Sequence, residues 1–269
     1  MNAKIIIATH KKYYMPKDPM YLPLHVGAEG KMDPSGKPLD LGYTKDNTGD
    51  NISTKNPYFC ELTGLYWAWK NLDADYIGLV HYRRHFSMHR KASFENILKY
   101  EEIKPYLGKI KLFVPKKRNY LIESLYSHYE HTHYIEQLDL TRTIIKEKYP
   151  QYVAAFDKVV CRRSGYMFNM AIMERHLLDK YCTWLFDILF ELERRIDMPQ
   201  LDAFQSRFYG RVSEIIFNVW LEYTVENKEI PKNAIMELNC IHLEKINWYK
   251  KGKAFLRAKF FGEKYQGSF

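Results

Sequence analysis

The chain has 269 residues, of which 46% are hydrophobic and 16% aromatic, and its formal net charge is +9. This length and composition suffice for a full hydrophobic core, so we expect a globular protein rather than a disordered or fibrous one. No stretch approaches the roughly 18 apolar residues of a spanning helix, and the N-terminal apolar run is too short for a signal peptide, which predicts a cytoplasmic protein.

The four cysteines (Cys60, Cys161, Cys182 and Cys240) are far apart in the sequence and lie in apolar segments. None belongs to a Cys-x-x-Cys pair, the usual signal for a redox or zinc site. We therefore expect reduced core residues, with neither disulfides nor a thiolate metal site.

The first predicted element is a strand over Lys4–Thr9, which is apolar throughout and therefore expected to be central and parallel. Residues 13–58 hold more than half of the prolines and show no sustained period, which predicts a long irregular region. Such loops often carry function, so we expect this one to cover the sheet edge and help to bind a ligand. Its segment 46–51 has turn chemistry, for which a surface turn and a ligand contact both remain open.

Residues 60–86 contain the stretch that we interpret as the functional site. Apolar residues at helical spacing from Leu62 lead into a buried strand over Tyr76–Val80, which ends in His81-Tyr82-Arg83-Arg84-His85. In open α/β sheets, ligands bind at the carboxyl ends of the strands. The sequence therefore predicts a site where this strand ends.

A further strand is predicted over Lys109–Val114 and a helix over Ile135–Lys148. The segment between them carries three histidines at His128, His131 and His133. Their spacing matches no standard zinc-ligand pair and no cysteine is near, which disfavours a metal site. Contact with an acceptor hydroxyl or phosphate, and ordinary hydrogen-bonded histidines, both remain open.

The second half continues with a strand over Ser164–Met173, a helix over His176–Arg195, a helix that starts at the N-cap Ser213, and an edge strand over Ala234–Leu243. The loop at residues 202–211 is dense in charged and amide side chains, and we take it as a second site segment. This alternation predicts an α/β fold, with a mainly parallel central sheet and helices on both faces, as one domain over residues 1–245.

Three phosphate and nucleophile motifs are absent: Gly-x-x-x-x-Gly-Lys-Ser/Thr, Gly-x-Gly-x-x-Gly and Gly-x-Ser-x-Gly. Their absence argues against P-loop kinases, dinucleotide oxidoreductases and serine hydrolases.

Residues 246–269 form a predicted basic C-terminal tail, with six Lys or Arg, one Glu and large apolar side chains that include Trp248, Tyr249, Phe255, Leu256, Phe260 and Phe261. Basic residues interleaved with aromatics suit an anionic membrane surface, so we expect a peripheral protein at the inner face of the membrane. A solvated tail packed partly on the body remains open. Nucleic acid is disfavoured because no recognition motif accompanies the charge.

Seven segments in order, ATHKKYYMP, HVGAEG, DNTGDNIS, NPYFCELTGLYWAWKN, DYIGLVHYRRHF, HYIEQLDL and RFYGRVSEIIFNVWL, resemble a bacterial family defined by a domain of unknown function in capsular and exopolysaccharide biosynthesis. Its members are similar to nucleotide-sugar-dependent glycosyltransferases of the GT-A type, some of them linked to galactose or galactofuranose transfer. The resemblance implies a GT-A-like Rossmannoid fold. It also implies hexosyl transfer from a UDP-sugar to a lipid-linked glycan of a capsule, an exopolysaccharide or an O-antigen.

GT-A enzymes commonly hold a divalent ion with Asp-x-Asp just after a central strand. Here Asp73 and Asp75 precede the strand and should lie at the opposite edge, while Arg83 and Arg84 follow it. Guanidinium groups can neutralise phosphate oxygens directly. We therefore expect a metal-independent transferase, with no cofactor besides the UDP-sugar donor.

The candidate residues fall into three roles. We expect arginines to bind the donor diphosphate, and residues at the exit of the first strand to bind the nucleoside. A carboxylate or an imidazole is expected to act as the base that deprotonates the acceptor, and further imidazoles to bind the acceptor itself. The donor set is Thr9, His10, Arg83, Arg84, Arg207 and Arg211; the base candidates are Glu214, Asp202 and His81; the acceptor set is His128, His131 and His133. For Glu214, simple helix-start electrostatics remains an equal explanation.

Two other functions remain open. A phosphosugar transferase or nucleotidyltransferase would use the same cationic edge but require magnesium. A non-catalytic polysaccharide-assembly partner would need no chemistry at these positions.

Overall fold

The computed structural model describes residues 1–197 and 201–244, together with residues 257 and 259. The chain divides into two compact units. The first consists of residues 1–116, 169–182 and 230–244. The part of the second that the structure describes includes residues 117–168, 183–197 and 201–229. Within the described ranges, no helix combines the length and apolar character needed to cross a bilayer.

The strands of the described chain are β1 (Ala3–Thr9), β2 (Tyr21–His25), β3 (Thr44–Lys45), β4 (Tyr76–His81), β5 (Arg84–Ser87), β6 (Leu112–Pro115), β7 (Arg118–Asn119), β8 (Ser164–Gly165), β9 (Ala171–Glu174) and β10 (Ile235–His242). The α-helices are α1 (Asn56–Phe59), α2 (Leu62–Asn71), α3 (Tyr100–Ile103), α4 (Leu125–Thr132), α5 (Glu136–Lys148), α6 (Val153–Val160), α7 (Arg175–Arg195) and α8 (Phe208–Glu226).

The first unit contains an eight-stranded sheet in the order β3-β2-β1-β4-β5-β10-β6-β9, with a further pairing of β4 to β9. The four strands from β3 to β4 are parallel, as is the β10–β6 pair, whereas the β4–β5, β5–β10, β4–β9 and β6–β9 pairs are antiparallel. The α/β class is confirmed, but the prediction of a mainly parallel sheet is wrong. Only Tyr82 and Arg83 separate β4 from β5, and so short a connection forces an antiparallel return.

β1 is central and parallel, as its apolar sequence predicted: Ile5, Ile6 and Ile7 are fully buried between β2 and β4. Helix α2 packs closely against these strands. A Cβ atom on Gly64 would lie 2.9 Å from Val26 Cγ1, so only glycine allows this approach.

Four predicted elements differ from the structure. The irregular region at residues 13–58 contains β2 and β3, which Pro23 and the short length of β3 conceal in the sequence. The strand predicted over Ser164–Met173 is interrupted, because Phe168 and Asn169 adopt positive φ angles of 77° and 52°. The predicted edge strand at Ala234–Leu243 is β10, which pairs on both sides.

The fourth difference concerns α8, which begins at Phe208 rather than at Ser213. Ser213 is buried inside the helix, where its hydroxyl donates to the Gly210 carbonyl at 2.7 Å. Among the cysteines, Cys161 is exposed rather than in the core, and all four are unbridged.

A buried carboxylate holds the loops at one edge of the sheet. Asp46, directly after β3, is fully buried and accepts hydrogen bonds from the backbone N–H groups of Gly27 (2.8 Å) and Ala28 (3.0 Å). It also accepts from the hydroxyl groups of Ser53 (2.5 Å) and Thr63 (2.7 Å). One side chain therefore ties the exit of β2, the loop before α1, and α2 together. The sequence left two interpretations of segment 46–51 open, a surface turn and a ligand contact, and neither included this structural role for Asp46.

We predict that Asp46→Asn destabilises the first unit by roughly 2–4 kcal/mol. The amide N–H₂ of Asn would face hydrogen-bond donors, namely two backbone N–H groups and two hydroxyl groups, and could not accept from them. Urea unfolding measures the change. Asp50→Asn is the matched control, since Asp50 lies in the same segment but is exposed and accepts one hydrogen bond, from Tyr66. Equal stability of the two variants would show that the carboxylate does not hold this edge.

His85 of β5 predicts a pH dependence of stability. Burial lowers the pKa of His85 to about 4, an effect that the Tyr82 backbone opposes in part and the nearby His81 increases. Between pH 6.5 and about 4 the unfolded chain binds a proton at this position that the folded chain does not. The free energy of unfolding should therefore fall as the pH is lowered through this window, by on the order of 3 kcal/mol from His85 alone.

Urea unfolding of His85→Leu at about pH 7 and pH 4.5 tests this prediction. The variant should lose less stability than the unmodified chain over that interval. His176→Leu, at an exposed histidine, is the matched control for the loss of one imidazole. An unaltered pH dependence in His85→Leu would contradict the prediction.

Candidate functional site at the carboxyl edge of the sheet

The parallel strands β1 to β4 bring their last residues to one edge of the sheet in the first unit. Thr9 lies beside His25, His25 beside Lys45, and Ala8 beside His81. The edge predicted from the end of β4 therefore includes the ends of three further strands. Carboxyl ends of parallel strands are the usual place for ligand binding in such sheets.

Thr9 and His10 have different roles at this edge. Thr9 is 1% exposed, and its hydroxyl donates to the Lys11 carbonyl at 2.7 Å, so it shapes the turn that leaves β1. His10 is exposed, and its ring meets the edge of Tyr82 with centroids 5.5 Å apart. Of this predicted pair, His10 is the residue that the fold presents to solvent.

Tyr82 is the centre of an aromatic and cationic cluster after β4. Its ring packs edge to face on Tyr13 at 5.1 Å between centroids. The Lys11 ammonium lies 5.1 Å from the ring centroid and the Arg83 guanidinium 5.2 Å from it. Aromatic rings flanked by cations are suited to a nucleobase and its phosphates. Because Tyr82 is only 8% exposed, the half-buried Tyr13 and the exposed His10 are the rings of this cluster that face solvent most.

Arg83 is partly exposed and forms an ion pair with Glu244, whose Oε2 lies 3.3 Å from Nη1. The Tyr13 hydroxyl donates to the other oxygen of the same carboxylate at 3.3 Å. Burial, followed by the charge of Glu244, raises the pKa of Tyr13, which keeps this hydroxyl protonated. Arg84 begins β5 and lies opposite His81 and His242 in the sheet. His81, Arg83 and Arg84 therefore lie close together where β4 turns into β5, and their role in a site stays a prediction.

His25 ends β2 and is 1% exposed. Burial lowers the pKa of His25; Asp46 opposes this effect, while Lys45, His10 and Lys31 add to it. The pKa of His25 therefore depends on Lys45, His10 and Lys31, which surround this edge. Asp46 is buried and already accepts four hydrogen bonds, so its charge is not presented at the exposed part of the edge, where Lys11, Lys45 and Arg83 lie.

Asp75 lies at the opposite edge, as its position before β4 predicted. Its carboxylate accepts from the Asn2 backbone N–H at 2.7 Å, next to the start of β1. Asp73 precedes it on the same side of the strand. Asp75 therefore stabilises the entry into β1 and β4, whereas Asp73 is an exposed residue before the same strand.

The second unit contains a carboxylate shared by two histidines. Glu123, 2% exposed, accepts from Nδ1 of His128 and from Nδ1 of His131, each at 2.7 Å. Burial alone would raise the pKa of Glu123, but these two hydrogen bonds lower it, so Glu123 is an ionised acceptor. Both histidines must then carry their proton on Nδ1. Burial lowers the pKa of His128 to about 4 and keeps that ring neutral at pH 7.

His133, the last of the three predicted acceptor residues, contacts Gln205 rather than Glu123, with Nδ1 3.0 Å from Oε1. Asp202 caps the turn that follows, accepting from the backbone N–H groups of Phe204 and Gln205 at 2.7 Å each. Arg211 lies inside α8, donates to the Phe204 carbonyl at 2.7 Å and stacks on that ring.

Arg207 is exposed just before α8 begins. Glu214 lies in the interior of α8 rather than in its first turn, so the expected stabilisation of its charge by the helix dipole does not apply.

Across the described ranges, no group of three or more His, Cys, Asp or Glu side chains is placed to hold a metal ion. The three histidines of the 127–133 segment divide between Glu123 and Gln205 instead. The predicted membrane tail at residues 246–269 lies outside the described residues, apart from positions 257 and 259.

Five residues of these two clusters were missed by the sequence reasoning: Asp46, His25, Tyr13, Glu244 and Glu123. Asp46 and His25 carry little usable signal, because the strands at whose ends they lie, β2 and β3, are concealed in the sequence by Pro23 and by the short length of β3. Tyr13, Glu244 and Glu123 carry no local signal, since their partners are five to 231 positions away in the chain.

The fold of this chain is similar to that of a solved glycosyltransferase structure. The apo structure of the WbbM bifunctional glycosyltransferase matches with a TM-score of 0.81 and 31% sequence identity, over 91% of this chain and 46% of that chain. The chain thus spans about half the length of that protein. No curated protein matches the sequence. Residues 4–227 match the domain of unknown function DUF4422, and because this match covers most of the 269 residues, the chain belongs to the DUF4422 family.

Proposed function

We propose that this protein is a glycosyltransferase that moves a sugar from a UDP-sugar, with galactose or galactofuranose favoured, to a growing capsular polysaccharide, exopolysaccharide or O-antigen. The observation that carries the proposal is the cationic and aromatic edge of the first unit, on a fold shared with a glycosyltransferase structure. The DUF4422 family membership supports the same class of function.

In this proposal, Tyr82 and His10 contact the nucleoside and Arg83 and Arg84 neutralise the diphosphate. A departing nucleoside diphosphate develops negative charge, and guanidinium groups fixed beside it stabilise that charge more in the transition state than before bond breaking. Transfer would proceed by cleavage of the bond between the anomeric carbon and the diphosphate oxygen. The acceptor hydroxyl oxygen then forms the new bond to that carbon and gives up its proton.

His81 is the base that fits this arrangement best among the three candidates. It ends β4, directly before Arg83 and Arg84, on the edge that we assign to the donor. Asp202 is engaged in capping a turn and Glu214 lies within α8, so neither has a comparable assignment. The base would take the acceptor proton if the anomeric centre inverts.

We predict that Arg83→Ala weakens UDP-sugar binding at least about tenfold, because a charged hydrogen bond to phosphate contributes roughly 1.5–3 kcal/mol. Arg84→Ala should act in the same direction. Isothermal titration of a panel of UDP-sugars measures both. Arg90→Ala is the matched control, since Arg90 is exposed and follows β5, which runs away from this edge.

Glu244→Gln separates a donor role from a structural role of Arg83. If Arg83 binds the diphosphate, removing the competing carboxylate should leave affinity unchanged or raise it. If the Arg83–Glu244 pair only stabilises the fold, both variants should weaken binding equally. Unchanged donor affinity in Arg83→Ala and Arg84→Ala together would show that the diphosphate binds elsewhere.

We also predict that transfer needs no divalent metal, since arginines occupy the position after β4 and Asp73 and Asp75 lie at the other edge. Turnover should survive EDTA. Loss of turnover with EDTA and recovery with manganese or magnesium would contradict this prediction, and would favour a magnesium-dependent transferase of another kind. Absence of binding by every UDP-sugar would favour a non-catalytic assembly partner.

A further inference from the structure

Two adjacent aliphatic side chains protrude from the second unit. Leu121 is 74% exposed and Ile122 is 57% exposed, in the short loop between β7 and α4. Among the described residues of this unit, no other large hydrophobic side chain is exposed. Single exposed apolar residues are common on protein surfaces, but an isolated adjacent pair on an otherwise polar surface calls for a physical reason.

The loop is held in a conformation that favours this exposure. Leu121 adopts a φ angle of 58°, which is strained for a side chain with a Cβ atom. Its backbone N–H donates to Asn119 Oδ1 at 2.8 Å, and the Tyr120 N–H donates to the Arg163 carbonyl at 2.8 Å. The Ile122 N–H donates to the Tyr120 carbonyl at 2.7 Å. The strain is therefore maintained by specific bonds, although neither exposed side chain gains burial from it.

Two arginines contact the loop that carries the aliphatic pair. Lys117 and Arg163 are exposed, and Arg163 Nη1 donates to the Leu121 carbonyl at 3.4 Å. The Arg118 guanidinium lies 4.7 Å from the centre of the Tyr120 ring. Arg118 and Arg163 are therefore the cations that contact this loop, whereas the Lys117 ammonium lies 5.0 Å from the centre of the Tyr166 ring.

The acidic residue of the loop does not offset this charge at the surface. Glu123 is 2% exposed, and both of its carboxylate oxygens are hydrogen-bonded to histidines of α4. The loop thus presents two apolar side chains to solvent with Arg118 and Arg163 in contact with it, while its one carboxylate between residues 117 and 125 is buried.

We propose that the loop tip, defined as Leu121 and Ile122 with Arg118 and Arg163, inserts into an anionic lipid surface. Aliphatic side chains that reach the acyl boundary and cations at headgroup level are the combination that holds peripheral proteins on such membranes. A protein partner fits less well, because two side chains supply far less than the roughly 800 Å² per partner of a standard interface. The proposal does not rest on sugar transfer, and it involves residues other than the tail at 246–269.

Vesicle sedimentation of the full-length chain tests the insertion. The probe is a set of phosphatidylglycerol–phosphatidylcholine vesicles, with pure phosphatidylcholine as the neutral comparison. Leu121→Asn combined with Ile122→Ser should lower the partition coefficient on the order of tenfold, since two aliphatic groups are lost from the apolar layer. Asn tolerates the positive φ angle, which protects the fold. Met32→Ser, at a side chain that is 58% exposed in the first unit, is the matched control.

A fluorescent label at position 122 reports insertion of this loop specifically. Ile122→Cys is labelled with the polarity-sensitive dye NBD in a Cys161→Ser background, because Cys161 is the exposed native cysteine. Anionic vesicles should shift the emission to shorter wavelength and raise its intensity, and high salt should reverse both changes. Unchanged emission overturns the proposal even if the protein sediments, since another segment would then bind the membrane. Equal partition of the double variant and the unmodified chain also overturns it.

Discussion

The buried carboxylate of Asp46 is the interaction on which the candidate site depends. Its four hydrogen bonds join the loop after β2, the loop before α1, and α2, so three segments of the 13–63 region share one anchor. A carboxylate without these donors would not be buried, because removing an ionised group from water costs several kcal/mol. The donors and the carboxylate therefore stabilise each other, and the irregular N-terminal region has a defined conformation beside the ends of β1, β2 and β4.

This anchoring has an electrostatic consequence. The negative charge of Asp46 is inside the unit and satisfied, whereas Lys11, Lys45, His10 and Arg83 stand around the exposed edge. Glu244 is the carboxylate paired with Arg83 there, and it is itself partly exposed. An anionic ligand can thus exchange with Glu244 for Arg83 at small cost, since exposed ion pairs are weak.

The sequence was informative where a pattern is local. An unbroken apolar run predicted the buried central strand β1, helical spacing predicted α2, and a short apolar run predicted β4. That the polar residues after β4 form the functional site stays a prediction. The sequence was uninformative where the determinant is distant. Asp46 looks like a turn residue until Gly27, Ser53 and Thr63 surround it, and Ser213 looks like an N-cap although α8 begins five residues earlier, at Phe208. Likewise, Glu123 gains its role only when α4 places His128 and His131 one turn apart.

A crystal structure of the protein with UDP, grown in the presence of EDTA, would test the central claim most directly. The account predicts the uracil against Tyr82 and the diphosphate within hydrogen-bond distance of Arg83 or Arg84, with Glu244 displaced from Arg83. UDP bound away from the ends of β1 and β4, or bound there only when a divalent ion bridges it to carboxylates, would contradict it.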